Sequence, residues 1–294
     1  DERSKRLLVT SLVKNRDKTY EEHRDELNLN CSVRTVNNAA LKKGFRMYVR
    51  LKKTPLSEEH MSNRLEWCHK YKEMDATWWH DNIDLWVDAK YWKHQPDPVK
   101  FRKMTQGRLV KRRPGEALLN DCVGNGPKVT TGCKGVHLLV GMGNGRVTLT
   151  QDYEKMSGAT MATMVSEDFI PALVDAHGVC PRVGGRWCVH QDGDRSQNST
   201  EAKVVFKKKK INLFPEWPAG SADLNPIENL WPIAEKSLVK KYPFGLARVS
   251  RDHFKGLVVK ALRDIPAKQI NSLVDSMPKR IKACIKAKGG RINY

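Results

Sequence analysis

Three carboxylates stand where apolar runs end. Asp88 closes Ile83-Asp84-Leu85-Trp86-Val87, and Asp192 follows Trp187-Cys188-Val189-His190-Gln191. Glu228 lies in Ser221-Ala222-Asp223-Leu224-Asn225-Pro226-Ile227-Glu228-Asn229-Leu230-Trp231, one turn into an expected helix after the run Ile211 to Phe214. Phosphodiesters resist hydrolysis because negative oxygens shield the phosphorus, and enzymes answer with two divalent ions ~3.5–4 Å apart that activate the nucleophile and stabilise the leaving oxygen. Mg²⁺, for which Mn²⁺ substitutes, takes a few carboxylate oxygens and keeps positions open for water and phosphate. In such a site Asp88 bridges two ions while Asp192 and Glu228 each hold one. A metal-bound water or a 3′-hydroxyl then attacks without a side-chain base.

Each acid also has a plainer role. Asn225 with Pro226 opens a helix in which Glu228 occupies the third position, where it would complete a capping box. Asp88 at the end of a run is also a turn residue. Asp194, two residues beyond Asp192, competes as the second ligand. The chemical reading rests on the set.

A polyanionic substrate agrees with the charge. Lys and Arg number 53 against 33 Asp and Glu, a formal net charge of +20, which attracts nucleic acid, although non-enzymatic nucleic-acid binders are basic too. With 294 residues, 39% of them hydrophobic, the chain can bury one large core or a medium and a small one. Seven cysteines form no CxxC pair, so reduced thiols in a reducing compartment are expected, without structural zinc. No run approaches the ~18 apolar residues of a membrane span, the start is not a signal peptide, and the missing initiator Met points to an N-terminal truncation.

The elements that must position the acids follow from periodicity and punctuation. Ser4 to Lys14 reads as a helix. Thr19-Tyr20-Glu21-Glu22 is a capping box opening a second helix towards Leu27, and Ser32 caps a third, Val33 to Lys43, stopped by Gly44. In helix-turn-helix DNA readers such a last helix enters the major groove. Between Cys31 and Pro55 stand seven basic residues and no acid. Arg34, Thr35, Asn37 and Asn38 have side chains suited to groove contacts, and Lys42, Lys43, Arg46, Arg50, Lys52 and Lys53 suit phosphates. Residues 57 to 80 read as helical.

Strand-like runs follow at 83 to 92, Val136 to Met142 and Arg146 to Thr150, with Gly143-Asn144-Gly145 as a hairpin turn. A helix from Ser157 to about His177, strand Trp187 to Gln191, a helix near Ser199 to Phe206, strand Ile211 to Phe214 and helix Pro226 to Lys240 complete the series. The expected fold is α/β, a mixed sheet with helices on its faces, behind an all-α helix-turn-helix domain. The domains are 1–55, a linker and packing helix 56–80, and 81–294. The last carries a basic insertion, 95–127, whose Arg112 and Arg113 are further candidates for DNA contact. From 236 to 294 there are fifteen basic residues against three acidic, suited to phosphate contacts.

Together these segments resemble the Tc/mariner superfamily of DNA transposases. Ser221 to Trp231 is close to that family's SPDLNPIENLW pattern, with Ala222 for Pro, in which the Glu is the third catalytic acid. Gln191-Asp192 resembles QQDN, and 35 residues separate Asp192 from Glu228, near the family's typical 34; Asp194 would leave 33. Val87-Asp88-Ala89-Lys90-Tyr91-Trp92 resembles DExxF, with Ala89 for Glu. Residues 18 to 55 are similar to the second helix-turn-helix of a bipartite paired-like region. Ser276-Met277-Pro278-Lys279-Arg280 and Lys288-Gly289-Gly290 are similar to the SMPxR and KGG segments. After Asp192 the family continues Asn-Ala-Pro-x-His, whereas here Gly193-Asp194-Arg195-Ser196-Gln197 follows.

The resemblance implies a ribonuclease-H-like catalytic domain and cut-and-paste transposition. It implies binding of terminal inverted repeats in double-stranded DNA, cleavage at the element ends, and joining of 3′-hydroxyls to target DNA, often at TA. It further implies catalysis by Asp88, Asp192 and Glu228 with two Mg²⁺ ions, a homodimer, no membrane association and, in a eukaryote, the nucleus. A transposase-derived DNA-binding protein without cleavage activity and another two-metal nuclease of this fold are the competing readings.

Overall fold

The computed structural model describes residues 2–49, 51–52, 55–93, 109–124, 135–178, 181, 185–194, 196–215, 217–242 and 249–294. Two compact units emerge, Asp1–Ser57 with Val99–Thr130, and Glu58–Pro98 with Thr131–Tyr294. Arg50, Lys53 and most of the basic insertion lie outside the described residues.

The first unit carries helices Glu2–Lys14, Tyr20–Glu26 and Val33–Lys42. Thr19 and Glu22 form the expected reciprocal capping box, and the Ser32 hydroxyl accepts from the Thr35 amide at 3.1 Å, supplying orphan donors with acceptors. Leu8, Leu12, Val36, Ala40 and Phe45 form its small core. Strands β1 (Arg46–Val49) and β2 (Leu51–Lys52) follow. The described part of the insertion, residues 109–124, packs in this unit: β4 (Leu109–Arg112) pairs antiparallel with β1, and β5 (Val123–Gly124) pairs parallel with β2. The buried Arg16 seals the arrangement with an ion pair to Glu116 at 2.7 Å.

The second unit is built on a five-stranded sheet of order β7-β6-β3-β8-β9. β3 (Leu85–Trp92), β6 (Val136–Gly143) and β7 (Arg146–Tyr153) are antiparallel neighbours, while β8 (Trp187–Gln191) and β9 (Ile211–Leu213) run parallel to β3. Asn144 and Gly145, at φ 47° and 73°, form the two-residue connection of β6 to β7, where a turn needs positive φ twice. One sheet face packs Met161, Val165, Phe169 and Phe206; the other packs Trp67, Trp79, Ile227, Trp231 and the C-terminal helices. The segment read as linker plus packing helix holds helices Glu58–Lys70 and Ala76–Asn82, and Trp67 and Trp79 place both in that second core.

Two expected helices are interrupted, each near a proline. The run after Ser157 divides at Asp168 into Gly158–Glu167 and Phe169–His177, because Pro171 offers no amide to Glu167 and its ring crowds that carbonyl. The run from Pro226 begins as a 3-10 turn, Pro226–Asn229, and becomes α-helical only over Leu230–Lys241, since Pro232 cannot donate to the Glu228 carbonyl. Glu228 therefore sits on a short tight turn.

Candidate active site

Register brings the first two acids together. The last β3–β8 pair is Val87 with Gln191, so Asp88 and Asp192 each come one residue later on neighbouring parallel strands. β8 ends there while β3 continues, paired on its other side, where Asp88 faces Val140. Asp88 is thus a mid-strand residue at a fork in the sheet, and its reading as a turn residue is corrected. Side chains alternate along a strand, so Asp88 shares its face with Trp86 and Trp92. The Pro226–Asn229 turn packs against β3 through that same core, in which Ile227 and Leu230 are buried, and this carries Glu228 to Asp88. The Asn225 side chain accepts from the Ile227 amide at 3.3 Å and fixes the start of the turn.

Electrostatics report the crowding. The Asp88 carboxyl is pushed up to about 8, first by burial, then by the negative charges of Glu228 and Asp192, against weaker help from the Ala89 amide and Lys90. The Ala89 N–H donates to Asp88 at 2.7 Å, and Lys90 is drawn to Glu235 at 3.1 Å. Tyr153, half-buried at the end of β7, is raised by burial and by the fields of Asp88 and Asp194. Two carboxylates close enough to oppose the ionisation of Asp88, all three groups offering only oxygen donors, fit a hard divalent cation. Among the described residues no group of three His, Cys, Asp or Glu is placed to hold a metal ion by itself. Mg²⁺ does not require one, because it combines one or two carboxylates with water and substrate phosphates.

Asp194 is occupied differently. Its carboxylate accepts from the Ser196 and Gln197 amides at 2.8 and 3.2 Å, shaping the loop after β8. The Asn198 side chain donates to the carbonyls of Asp192 and Asp194 at 2.9 and 3.0 Å. Asp192 accepts only locally among the described contacts, from the Gly193 amide at 2.9 Å. The local geometry therefore favours Asp192 as the second acid.

In the first unit Arg34, Thr35, Asn38, Lys42, Lys43 and Arg46 are exposed and Asn37 half-buried. Lys52 ends β2. Arg112 and Arg113 lie over the rings of Tyr48 and Phe45, each 4.3 Å from the centroid, and Arg113 also donates to the Lys43 carbonyl at 3.1 Å. Sequence reasoning did not single out Arg64, which is fully buried against the Glu228 segment. Its only signal was a basic residue close to the apolar positions Leu65, Trp67 and Cys68 of a mostly polar helix.

Residues 5–73 match the family HTH_Tnp_Tc3_2, described as Transposase. The Transposable element Tc3 transposase of Caenorhabditis elegans is 28% identical over 294 residues, covering 97% of this chain and 79% of that protein. The Transposable element Tcb1 transposase of Caenorhabditis briggsae is 25% identical over 254 residues, covering 83% and 81%. Among solved structures, a pre-cleavage Mos1 transpososome superimposes with a TM-score of 0.70 at 15% identity over 98% of this chain and 80% of that one. The catalytic domain of Mos1 mariner transposase gives 0.57 at 14% identity over 82% and 99%.

Proposed function

The chain is a relative of the Tc/mariner superfamily of DNA transposases, and from that premise we propose that it is a cut-and-paste transposase. The observation that carries the catalytic reading is that Asp88, buried at the fork of the sheet, lies within the fields of Glu228 and Asp192, burial first and those two charges second pushing its carboxyl up to about 8. Two Mg²⁺ ions at this site would supply an activated oxygen nucleophile and charge stabilisation of the leaving oxygen. The chain's own part is to fix three carboxylates within one strand, at the end of its neighbour and on one turn, and to keep Lys90 beside Asp88. Mos1 complexes solved with Mg or Mn support this cofactor choice.

The first unit would present Val33–Lys42 to the terminal repeats, with Arg34, Thr35, Asn37 and Asn38 at bases and Lys42, Lys43 and Arg46 at phosphates. Two ends must be held together for excision, so a homodimer belongs to the reading, as do a TA target and action in the nucleus of a eukaryote. The similarity of this chain to a Mos1 transposase paired-end complex supports the pairing.

The test is cleavage and strand transfer on DNA carrying the element's own ends, with Mg²⁺ or Mn²⁺. Loss of activity in Asp88→Ala, Asp192→Ala and Glu228→Ala, with retention in Asp194→Ala, supports the assignment. A wild-type protein that binds those ends and never cuts them, where a relative does cut, identifies a DNA-binding descendant instead.

A further inference from the structure

Arginine and aspartate are almost never fully buried unless paired, yet Arg64, Arg280 and Asp223 are 0%, 1% and 5% exposed. Arg64 grips Asp223 with two parallel bonds, Nη1 to Oδ1 at 2.7 Å and Nη2 to Oδ2 at 3.0 Å. It also donates to the Gly220 carbonyl and the Ser221 hydroxyl at 3.1 and 3.0 Å. Arg280 donates to the Asp223 carbonyl at 2.9 Å and to the Asn229 carboxamide oxygen at 2.6 Å. The two guanidinium groups thus hold the chain on both sides of Glu228.

The C-terminal segment closes the frame. Arg64 donates to the Gly289 and Gly290 carbonyls at 2.8 and 3.1 Å, and the Ile292 amide donates to Asp223 at 2.7 Å. Gly289 has φ 79° and lies so close to the Met61 backbone that a Cβ would collide with it, so this approach requires glycine.

A buried ion pair is weak evidence for stability, because well-packed apolar residues often do as well. What this one specifies is place. The Pro226–Asn229 turn is short, the Glu228 amide reaching the Asn225 carbonyl at 3.4 Å, and Pro232 cannot supply the α-helical bond to the Glu228 carbonyl, so α-helical hydrogen bonds alone do not fix the acid. We propose that Arg64 and Arg280 are positioning residues that hold Glu228 at the carboxylate site through Asp223 and Asn229. The inference rests on the metal-dependent reading above. Asp223 is on this account a strut rather than a fourth ligand, and the planar fork is why lysine does not suffice at either position.

The experiment uses the full chain as Arg280→Lys, which keeps the charge and loses the fork, and Asn229→Ala, which removes one half-buried acceptor. Free Mn²⁺ is counted by electron paramagnetic resonance, and peptide hydrogen exchange is followed across 220–230. Circular dichroism and binding to an element-end duplex serve as controls for folding. Outer-shell partners of metal ligands typically contribute ~10–100-fold in affinity, so Mn²⁺ binding should weaken ~10-fold or more while exchange across 220–230 rises several-fold and end binding is unchanged. Folded variants with Mn²⁺ affinity within about twofold of wild type, or with unchanged exchange in that peptide, overturn the proposal. If wild type shows no Mn²⁺ binding that Asp88→Asn abolishes, the carboxylate-site reading itself fails and the proposal falls with it.

Discussion

Charge works under opposite conditions on the helix Val33–Lys42 of the first unit and around the carboxylates of the second. On the helix Val33–Lys42 and just beyond it, Arg34, Lys42, Lys43 and Arg46 stand in solvent, where each acts singly and salt screens it. In the second unit Asp88, Arg64, Asp223 and Arg280 are withdrawn from water, where every charge is coupled to its neighbours and an unmatched one is expensive. Exposed cations suit a long polyanion that must be gripped, slid along and released. A buried carboxylate in the field of two half-buried ones suits a step at one phosphorus atom. Substitutions should accordingly split into those that change binding and leave chemistry alone, and the reverse.

The largest effect tests that split directly. Asp88→Ala or Glu228→Ala should lower cleavage of element ends by about 10³-fold or more, since a lost metal contact removes several kcal/mol of transition-state stabilisation at about 1.4 kcal/mol per tenfold. Affinity for the same ends, measured by mobility shift, should stay within about twofold, because the binding charges lie elsewhere. A parallel loss of binding and cleavage would erase the division of labour.

Stability in metal-free buffer gives the next effect. A carboxyl raised from 3.8 to about 8 on folding binds its proton in the native state where the unfolded chain has already released it. Stability must then fall as pH rises from about 4 to about 8. Asp88→Asn removes this dependence, so its advantage over wild type should grow across that window to several kcal/mol at pH 8. His190, buried among Trp86, Phe214 and Trp217 and depressed to about 3 by desolvation, pulls the other way, losing stability as pH falls from 6.5. It is present in both proteins, so thermal melts of the pair against pH isolate Asp88. Added Mn²⁺ should stabilise wild type and leave Asp88→Asn unmoved. A pH-independent difference between the two would show that neither burial nor the neighbouring acids raise Asp88.

The same contrast explains what the sequence made legible. Local signals held: the Thr19–Glu22 box, the Ser32 cap, the Asn144-Gly145 turn and the strand-like run that becomes β3 each depend on residues a few positions apart. Asp88 and Asp192 were visible because each breaks off an apolar run, although only Asp192 follows a strand end and Asp88 lies within β3. The two helix breaks were overrun although Pro171 and Pro232 were in plain view, because apolar periodicity continued through both. Arg64 was not legible, since its meaning depends on Asp223, 159 positions away, and only the packing of the Glu58–Lys70 helix brings them together. That Arg112 and Arg113 lie on Tyr48 and Phe45 depends likewise on a strand pairing between residues more than sixty positions apart.

At the exposed end the effects are smaller and separable. Arg34→Ala should weaken binding of the cognate end by about 1–3 kcal/mol, and competition by unrelated duplex should become more effective if that side chain reads a base. Cleavage rate at saturating DNA should be unaffected. Equal loss on cognate and unrelated duplexes would move Arg34 from bases to phosphates.

Lys42→Ala and Lys43→Ala provide the finest discrimination. Both side chains are exposed, at the end of Val33–Lys42 and just after it, one turn beyond Asn38 and next to β1. A lysine that neutralises one phosphate releases about one counterion, so each substitution should reduce the slope of log K against log salt by about 1 and weaken all sequences alike. The double substitution should remove about 2 if the two side chains neutralise separate phosphates. Salt titrations of wild type and the three variants on cognate and scrambled ends measure this. An unchanged slope accompanied by lost discrimination would mean that the lysines reach into the groove, and the C-terminal part of the helix, rather than Arg34 to Asn38, would then be its reading end.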